Sequence, residues 1–558
     1  MKFLSLKTYD WYMYIYYLMS ISAFMIYLFK ANYSILWEWV IYESMDMSIV
    51  ISLSFTLYNV IFVFTVSSVF ASVYHYSIYY MTGEIYVKRF MLILILFVIS
   101  MVILICSGNL FTTLIGWDGL GVTSMLLIMY YCSNASLKAS MYTFVINRLG
   151  DCFFLILIFF IMCKFPTLNL LVNTMSSNLG MLFCCLFILL SITKSAQVPF
   201  SSWLTKAMEA PTPVSSLVHS STLVTAGIYV LFLYQEVWKE SEIFVFILST
   251  LSLATILVAS IAGLVEMDLK KIVAYSTLSQ LGFIMFVFSL SLFPQGFFHL
   301  IMHAFFKALM FMSAGYIIHH SSGWQDIRLM SLNFSCSPIV VKILTTAMVS
   351  LCGLPYMSGF FSKDLILDSL CKMNFSVLIF LILICSFVFT VYYSFRVCWY
   401  VMSGLKPVSS MTDDSSGMIK TMLYLLVLSC TMGSMMLWTF YPSTPSFDSP
   451  KIILVMFLVG MLIIFWNFSS VKKNMFYLKT NMYLYVVINL IVYKFMVFFQ
   501  KLAWFSDLLG LIGKTLKLPS LILDEIMSVT KDKAFLINFK EFMFLGLMMV
   551  LVFMLMTL

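Results

Sequence analysis

The chain has 558 residues, of which 62% are hydrophobic and 10% charged, with a mean hydropathy of +1.02. Soluble domains carry about 25% charged residues, so lipid is the solvent for most of this chain. The net charge of +8 does not mark a nucleic-acid binder, because the lysines fall mainly in short connections between apolar runs, where snorkelling and membrane orientation account for them.

Runs of about 18 or more apolar residues can each cross a hydrocarbon layer of about 30 Å. They recur at 12–29, 50–72, 90–107, 109–131, 141–163, 181–205, 213–235, 243–265, 271–292, 295–318, 338–360, 376–402, 420–441, 452–470, 481–500 and 541–558. Runs of this length without ten-residue alternation select helices over a barrel, which makes the expected fold class all-α and polytopic transmembrane. The start, MKFLSLKTYDWYMYIYYLMS, shows no small-residue cleavage site and is expected to be retained.

Two blocks of five spans repeat the same plan. In each, the fourth span is interrupted by helix breakers and carries one lysine: TKSAQVPFSSW has Lys194 ahead of Pro199, and CGLPYMSGFFSKD has Pro355 and Gly359 ahead of Lys363. Matching interruptions in two halves point to a transporter's ion site, and an odd number of spans per block makes the two repeats enter from opposite sides. The expected organisation is N-terminal transmembrane helices (1–89), a first five-helix repeat (90–235), a second, inverted one (236–402), additional transmembrane helices (403–499), a lateral amphipathic helix (500–540) and a C-terminal anchor (541–558).

An ionisable group deep in a span costs at least about 2.5 kcal/mol and needs a reason. Asp118, in GWDGLG, lies about 13 Å inside its span at 1.5 Å per residue, and Gly116, Gly119 and Gly121 would let a neighbouring helix bring a cation to it. The alternative is a shallow aspartate in a packing motif. Lys194 follows thirteen uncharged residues, beyond the reach of a snorkelling stem. His299, His303 and Lys307 recur every fourth residue and share one helix face, forming a chain of titratable groups. A metal site on these histidines lacks a carboxylate or cysteine to complete it.

His219, in PTPVSSLVHSS, follows two prolines close to the first break and is a candidate relay from Lys194 toward the second block. Arg148 and Asp151 stand three apart and can neutralise each other, with Asp151 also able to modulate Lys194. Lys363 is a candidate terminal carrier with Asp364 as a counter-charge, against the alternative of a loop lysine at a membrane edge.

No Gly-rich dinucleotide fingerprint, phosphate loop, CxxC pair or metal-ligand spacing occurs, so no cofactor or metal is expected in this chain.

The run KSAQVPFSSWLTKAMEAPTPVSSLVHSSTLVTAGIY (194–229) closely resembles the antiporter-like subunits of respiratory complex I, as do GWDGLG (116–121), NRLGD (147–151), DLKKIVAYSTLSQLG (268–282), HAFFKALMFMSAG (303–315), QDIR (325–328) and GFFSKD (359–364). Length and the charged tail point to the distal member of that family. The resemblance implies two inverted five-helix repeats plus a long lateral helix, with a proton route through Asp118, Lys194, His219, Lys307 and Lys363. It also implies that FMN, iron–sulfur clusters and ubiquinone serve other subunits, and that the partners are other membrane-arm subunits, especially neighbouring antiporter-like ones, with membrane lipids. Asp118 stands where many relatives have glutamate.

Only four arginines accompany 28 lysines, with 43 Met, 54 Phe and 31 Tyr, a usage favouring AT-rich codons. That bias fits a gene in an animal mitochondrial genome and a multi-pass protein of the mitochondrial inner membrane. A sodium/proton antiporter subunit and a membrane scaffold are the rival readings.

Overall fold

In the computed structural model, the described residues are 35–43, 48–162, 178–239, 241–321, 323–328, 338–354, 357–372, 377–402 and 415–440. The expected spans at 12–29, 452–470, 481–500 and 541–558 and the lateral stretch at 500–540 lie outside them.

The alternation in SIVISLSF decides the start. These residues form strand β2 (Ser48–Phe55), paired antiparallel with β1 (Ile35–Glu43), and not the beginning of a helix. The span expected at 50–72 is therefore corrected to α1 (Leu57–Tyr80), capped by the Thr56 side chain. Strand β2 continues its pairing onto the turn between α2 (Val87–Ile105) and α3 (Leu110–Ile128), where Ser54 N donates to Cys106 O at 2.7 Å and Gly108 N to Ser52 O at 3.0 Å.

The helix α4 (Asn134–Met162) leads to α5 (Asn178–Lys194), which stops where SAQVP intervenes; Pro199 cannot donate to a helical carbonyl, and the chain resumes as one turn at Ser202–Lys206. Next comes α6 (Thr212–Leu233), with Pro213 in its first turn and a π-helical turn at Val218–Thr222.

The second half contains α7 (Glu242–Val265), α8 (Leu269–Ser289), α9 (Phe293–His320), α10 (Pro338–Cys352), α11 (Ser358–Lys372), α12 (Val377–Met402) and α13 (Ser415–Phe440). The second interrupted span does not end near 360 as expected. Gly353 at φ +80° closes α10, and α11 runs on to Lys372.

Among the described residues ten helices are long and apolar enough to cross a membrane. They differ in burial: α8 and α9 are enclosed except at Lys271 and at the two ends of α9, where Pro294 and His319 are exposed, and α6 is nearly enclosed, whereas α7, α12 and α13 keep most of their residues outward. Helices apolar on every side belong inside a bundle, and α9 accordingly packs against α1, α8, α10, α11, α13 and the π turn of α6. Many of their serines and threonines are satisfied locally: Ser72 donates to Val69 O at 2.7 Å and Ser276 to Val273 O at 2.6 Å. The ionisable groups of this interior stand out against that background.

Candidate functional site: a buried line of lysines and histidines

The first corner is built by α3, α4 and α5. A Cβ on Gly116 would lie 2.7 Å from Leu104 N, and one on Gly119 would lie 2.8 Å from Ser100 Cβ, so these glycines press α3 onto α2. Gly121 has nothing within 4 Å of its Cβ position. The expectation that all three bring a cation to Asp118 is corrected: two of them seat α3 on α2, and the cation comes from α4. Arg148 Nη1 lies 3.4 Å from Asp118 Oδ1 and 2.9 Å from Asp151 Oδ2, one guanidinium serving both carboxylates.

Lys194, the last residue of α5, is 0% exposed. Its Nζ donates to the backbone carbonyl of Trp117 and stands 3.8 Å from the centre of the Trp117 ring. It makes no ion pair among the described residues, both nearby carboxylates being held by Arg148. Gly150, next to Asp151, lets α4 and α5 meet closely at Thr193, the residue before Lys194, because a Cβ there would collide with the Thr193 hydroxyl.

The break after Lys194 is braced by side chains. Trp203 Nε1 donates to Thr193 O at 2.9 Å, satisfying a carbonyl freed where α5 ends, and Thr255 Oγ1 on α7 donates to Gln197 Oε1 at 2.6 Å. Trp203 also links the break to His219, whose ring centre is 6.2 Å away. His219 is fully buried in the π turn, which faces α9.

On α9, His299, His303 and Lys307 are each 0% exposed. Lys307 Nζ donates to Ser276 Oγ on α8. His299 Nδ1 is 2.8 Å from Ser362 Oγ on α11, and its Nε2 is 3.2 Å from Gln280 Oε1 on α8. With both ring nitrogens engaged, His299 has no free lone pair for a metal ion. His303 has no hydrogen-bond partner on either ring nitrogen among the described residues.

Lys363, 5% exposed, follows Ser362 and donates from Nζ to Leu351 O in the last turn of α10. Asp364, half-buried, is its neighbour on α11.

One property is common to Lys194, Lys307 and Lys363, and is shared by a fourth buried lysine, Lys270, which donates to Ala210 O at 3.2 Å. Each donates to a neutral oxygen, and none forms an ion pair among the described residues. An ammonium held this way can lose its proton without stranding a buried anion, which a tight ion pair could not do. Scanning the sequence for charge passes over Ser276, Gln280, Ser362, Gln197 and Trp203; the signal for them is a neutral hydrogen-bonding side chain within an apolar span.

Residues 107–390 match the family described as NADH:quinone oxidoreductase/Mrp antiporter, TM, and this stretch holds the whole line from Asp118 to Asp364. The chain belongs to the NADH:quinone oxidoreductase/Mrp antiporter family. It is a multi-pass membrane protein.

Curated members of that family extend the likeness beyond the matched stretch. NADH-ubiquinone oxidoreductase chain 5 of Aedes aegypti is 37% identical over 85% of this chain and 81% of its own length. That of Mytilus edulis is 45% identical over 65% of this chain and 64% of its own. Among solved structures, the Mrp complex from Dietzia sp. DQ12-45-1b superposes with a TM-score of 0.74 at 19% identity, covering 92% of this chain and 58% of that one. The membrane-bound sulfane sulfur reductase, an archaeal respiratory membrane complex, gives 0.64 at 21% identity, covering 82% and 92%. At these identities the structures show a shared fold.

Proposed function

We propose that this chain is the distal antiporter-like subunit in the membrane arm of a mitochondrial NADH:ubiquinone oxidoreductase, and that it carries protons across the inner membrane. Its partners are neighbouring antiporter-like subunits and membrane lipid, while FMN, iron–sulfur clusters and ubiquinone serve other subunits. The observation that supports this most is that Lys194, Lys307 and Lys363 are buried on neutral acceptors, with His299 and His303 buried on the same helix as Lys307.

In this reading Lys194 is loaded and unloaded as the carboxylates of Asp118 and Asp151 exchange between it and Arg148. The proton passes by way of His219 and ordered water to Lys307, and along His303 and His299 to Lys363, with Asp364 as counter-charge. Moving one charge against about 200 mV costs about 4.6 kcal/mol, so the route needs an external source of work, and electron transfer elsewhere in the complex supplies it.

The test is proton uptake during NADH oxidation by the assembled complex in sealed vesicles, with and without sodium ions. Uptake that is independent of sodium supports proton pumping; uptake that requires sodium would point to cation/proton antiport.

A further inference from the structure

Lys194, Lys307 and Lys363 each lie by an aromatic ring, and the rings are unequal. Lys194 Nζ stands 3.8 Å from the centre of the Trp117 ring, whereas Lys363 Nζ is 5.6 Å from that of Phe387 and Lys307 Nζ 5.9 Å from that of Phe306. A cation is attracted to the negative face of a ring within about 6 Å, most strongly to tryptophan, and more so when both are out of water. The two phenylalanines stand at the edge of that range, and Trp117 is well inside it. Trp117 and Lys194 are both 0% exposed, so no bulk water weakens the attraction.

The ring is fixed in place from several sides. Gly116 seats α3 on α2, since a Cβ there would lie 2.7 Å from Leu104 N, and the Phe154 ring on α4 packs with its centre 5.8 Å from that of Trp117. The next residue, Asp118, is tied to Arg148. The Trp117 carbonyl accepts from Lys194 Nζ as well, so one residue meets the ammonium with both its backbone and its side chain.

We propose that Trp117 is the positioning residue for the charge of Lys194: its carbonyl and ring form a neutral seat for the ammonium, and the ring sets the pH above which this lysine ceases to hold a proton. The inference rests on the proton-carrying function proposed above and deepens it at the first carrier of the line.

The seat favours one protonation state. A charged Nζ meets the negative face of the indole, whereas a neutral amine in the same place keeps only van der Waals contact with it. Proton loss then strands no anion, as it would beside a bare carboxylate. Three other charged groups act on Lys194: Asp118 from α3, and Asp151 and Arg148 from α4. From α6 the π turn brings His219 to Trp203, and from α7 Thr255 reaches Gln197, both beyond the break. Substitution of the Trp117 side chain leaves these groups and the backbone carbonyl of position 117 in the chain, so a change in how firmly Lys194 holds its proton reports the ring. Within GWDGLG the tryptophan reads as a packing residue, because nothing on α3 alone shows that its face meets the end of α5.

The experiment compares Trp117→Phe and Trp117→Leu with Lys194→Met, in the assembled complex in sealed vesicles. It reads proton uptake per NADH oxidised against pH, together with the melting temperature of the complex. In Trp117→Leu, which has no ring, the alkaline limit of uptake is expected to fall by at least about 1 pH unit, a tenfold weaker hold on the proton. Trp117→Phe, with a weaker ring, should fall by less. An alkaline limit that stays at the wild-type pH in Trp117→Phe and Trp117→Leu, alongside loss of uptake in Lys194→Met, would overturn the seat and leave the proposed function standing; should Trp117→Leu not assemble, the limit in Trp117→Phe decides alone. Normal uptake in Lys194→Met would overturn the function itself. A loss of uptake equal at every pH, with a lower melting temperature, would assign Trp117 to packing and also overturn the seat.

Discussion

The Lys194 ammonium rests on the carbonyl of Trp117, one residue short of the Asp118 carboxylate, which is held by Arg148. The charge that could lock Lys194 is thus kept beside it but occupied elsewhere. A lysine poised in this way responds to any event that moves Arg148.

Arg148→Met should release Asp118 and Asp151 toward Lys194 and hold its proton more firmly. Arg148 and Asp118 are both over one-third exposed, so the ion pairs lost are worth about 1 kcal/mol, or about fivefold in turnover. NADH-driven proton uptake by the assembled complex measures it, and Arg148→Lys should recover part of the loss.

Gly150 and Gly121 should behave oppositely despite similar surroundings in sequence. A Cβ at position 150 meets the Thr193 hydroxyl, whereas position 121 has nothing within 4 Å. Gly150→Ala should destabilise the complex by about 1–3 kcal/mol through overpacking, seen as a lower melting temperature, and Gly121→Ala should leave it unchanged.

Trp203→Phe keeps the ring near His219 but removes the donor to Thr193 O. An unsatisfied buried carbonyl costs about 1–3 kcal/mol, so the break should loosen, which appears as faster hydrogen exchange around 193–203 with assembly retained.

The framework of the fold was legible from residues alone because the physics of lipid is severe: apolar length gives the helices, and Pro199 marks a real interruption; at the second break the sequence pointed to Pro355 and Gly359, whereas Gly353 is the residue that closes α10. Lys194, Lys307 and His299 were legible for the same reason, as charge where charge is expensive. What escaped the sequence were relations between helices. A helix buried on every side has no polar face to reveal its neighbours, so nothing on α8 announces that Gln280 meets His299, or on α4 that Arg148 reaches Asp118 as well as Asp151. The hairpin at Ile35–Phe55 was missed for a different reason: the apolar run at 50–72 absorbed the short alternation in ISLSF. The π turn around His219 also had no sequence marker, its two prolines lying a turn earlier.

Lys307→Met should leave α9 in place, since methionine fills similar space, while removing the buried ammonium that stands next to His303 on that helix. Proton uptake and coupled NADH oxidation should both fall about tenfold or more, and NADH oxidation with a soluble acceptor, which bypasses the membrane arm, should not.

The most direct test replaces Lys194 by methionine in the assembled complex within sealed vesicles and records NADH oxidation and proton uptake side by side. A working proton carrier requires both to fall while the complex assembles normally; both remaining at the wild-type level would contradict the route from Lys194 to Lys363 and leave the lysine with a structural role.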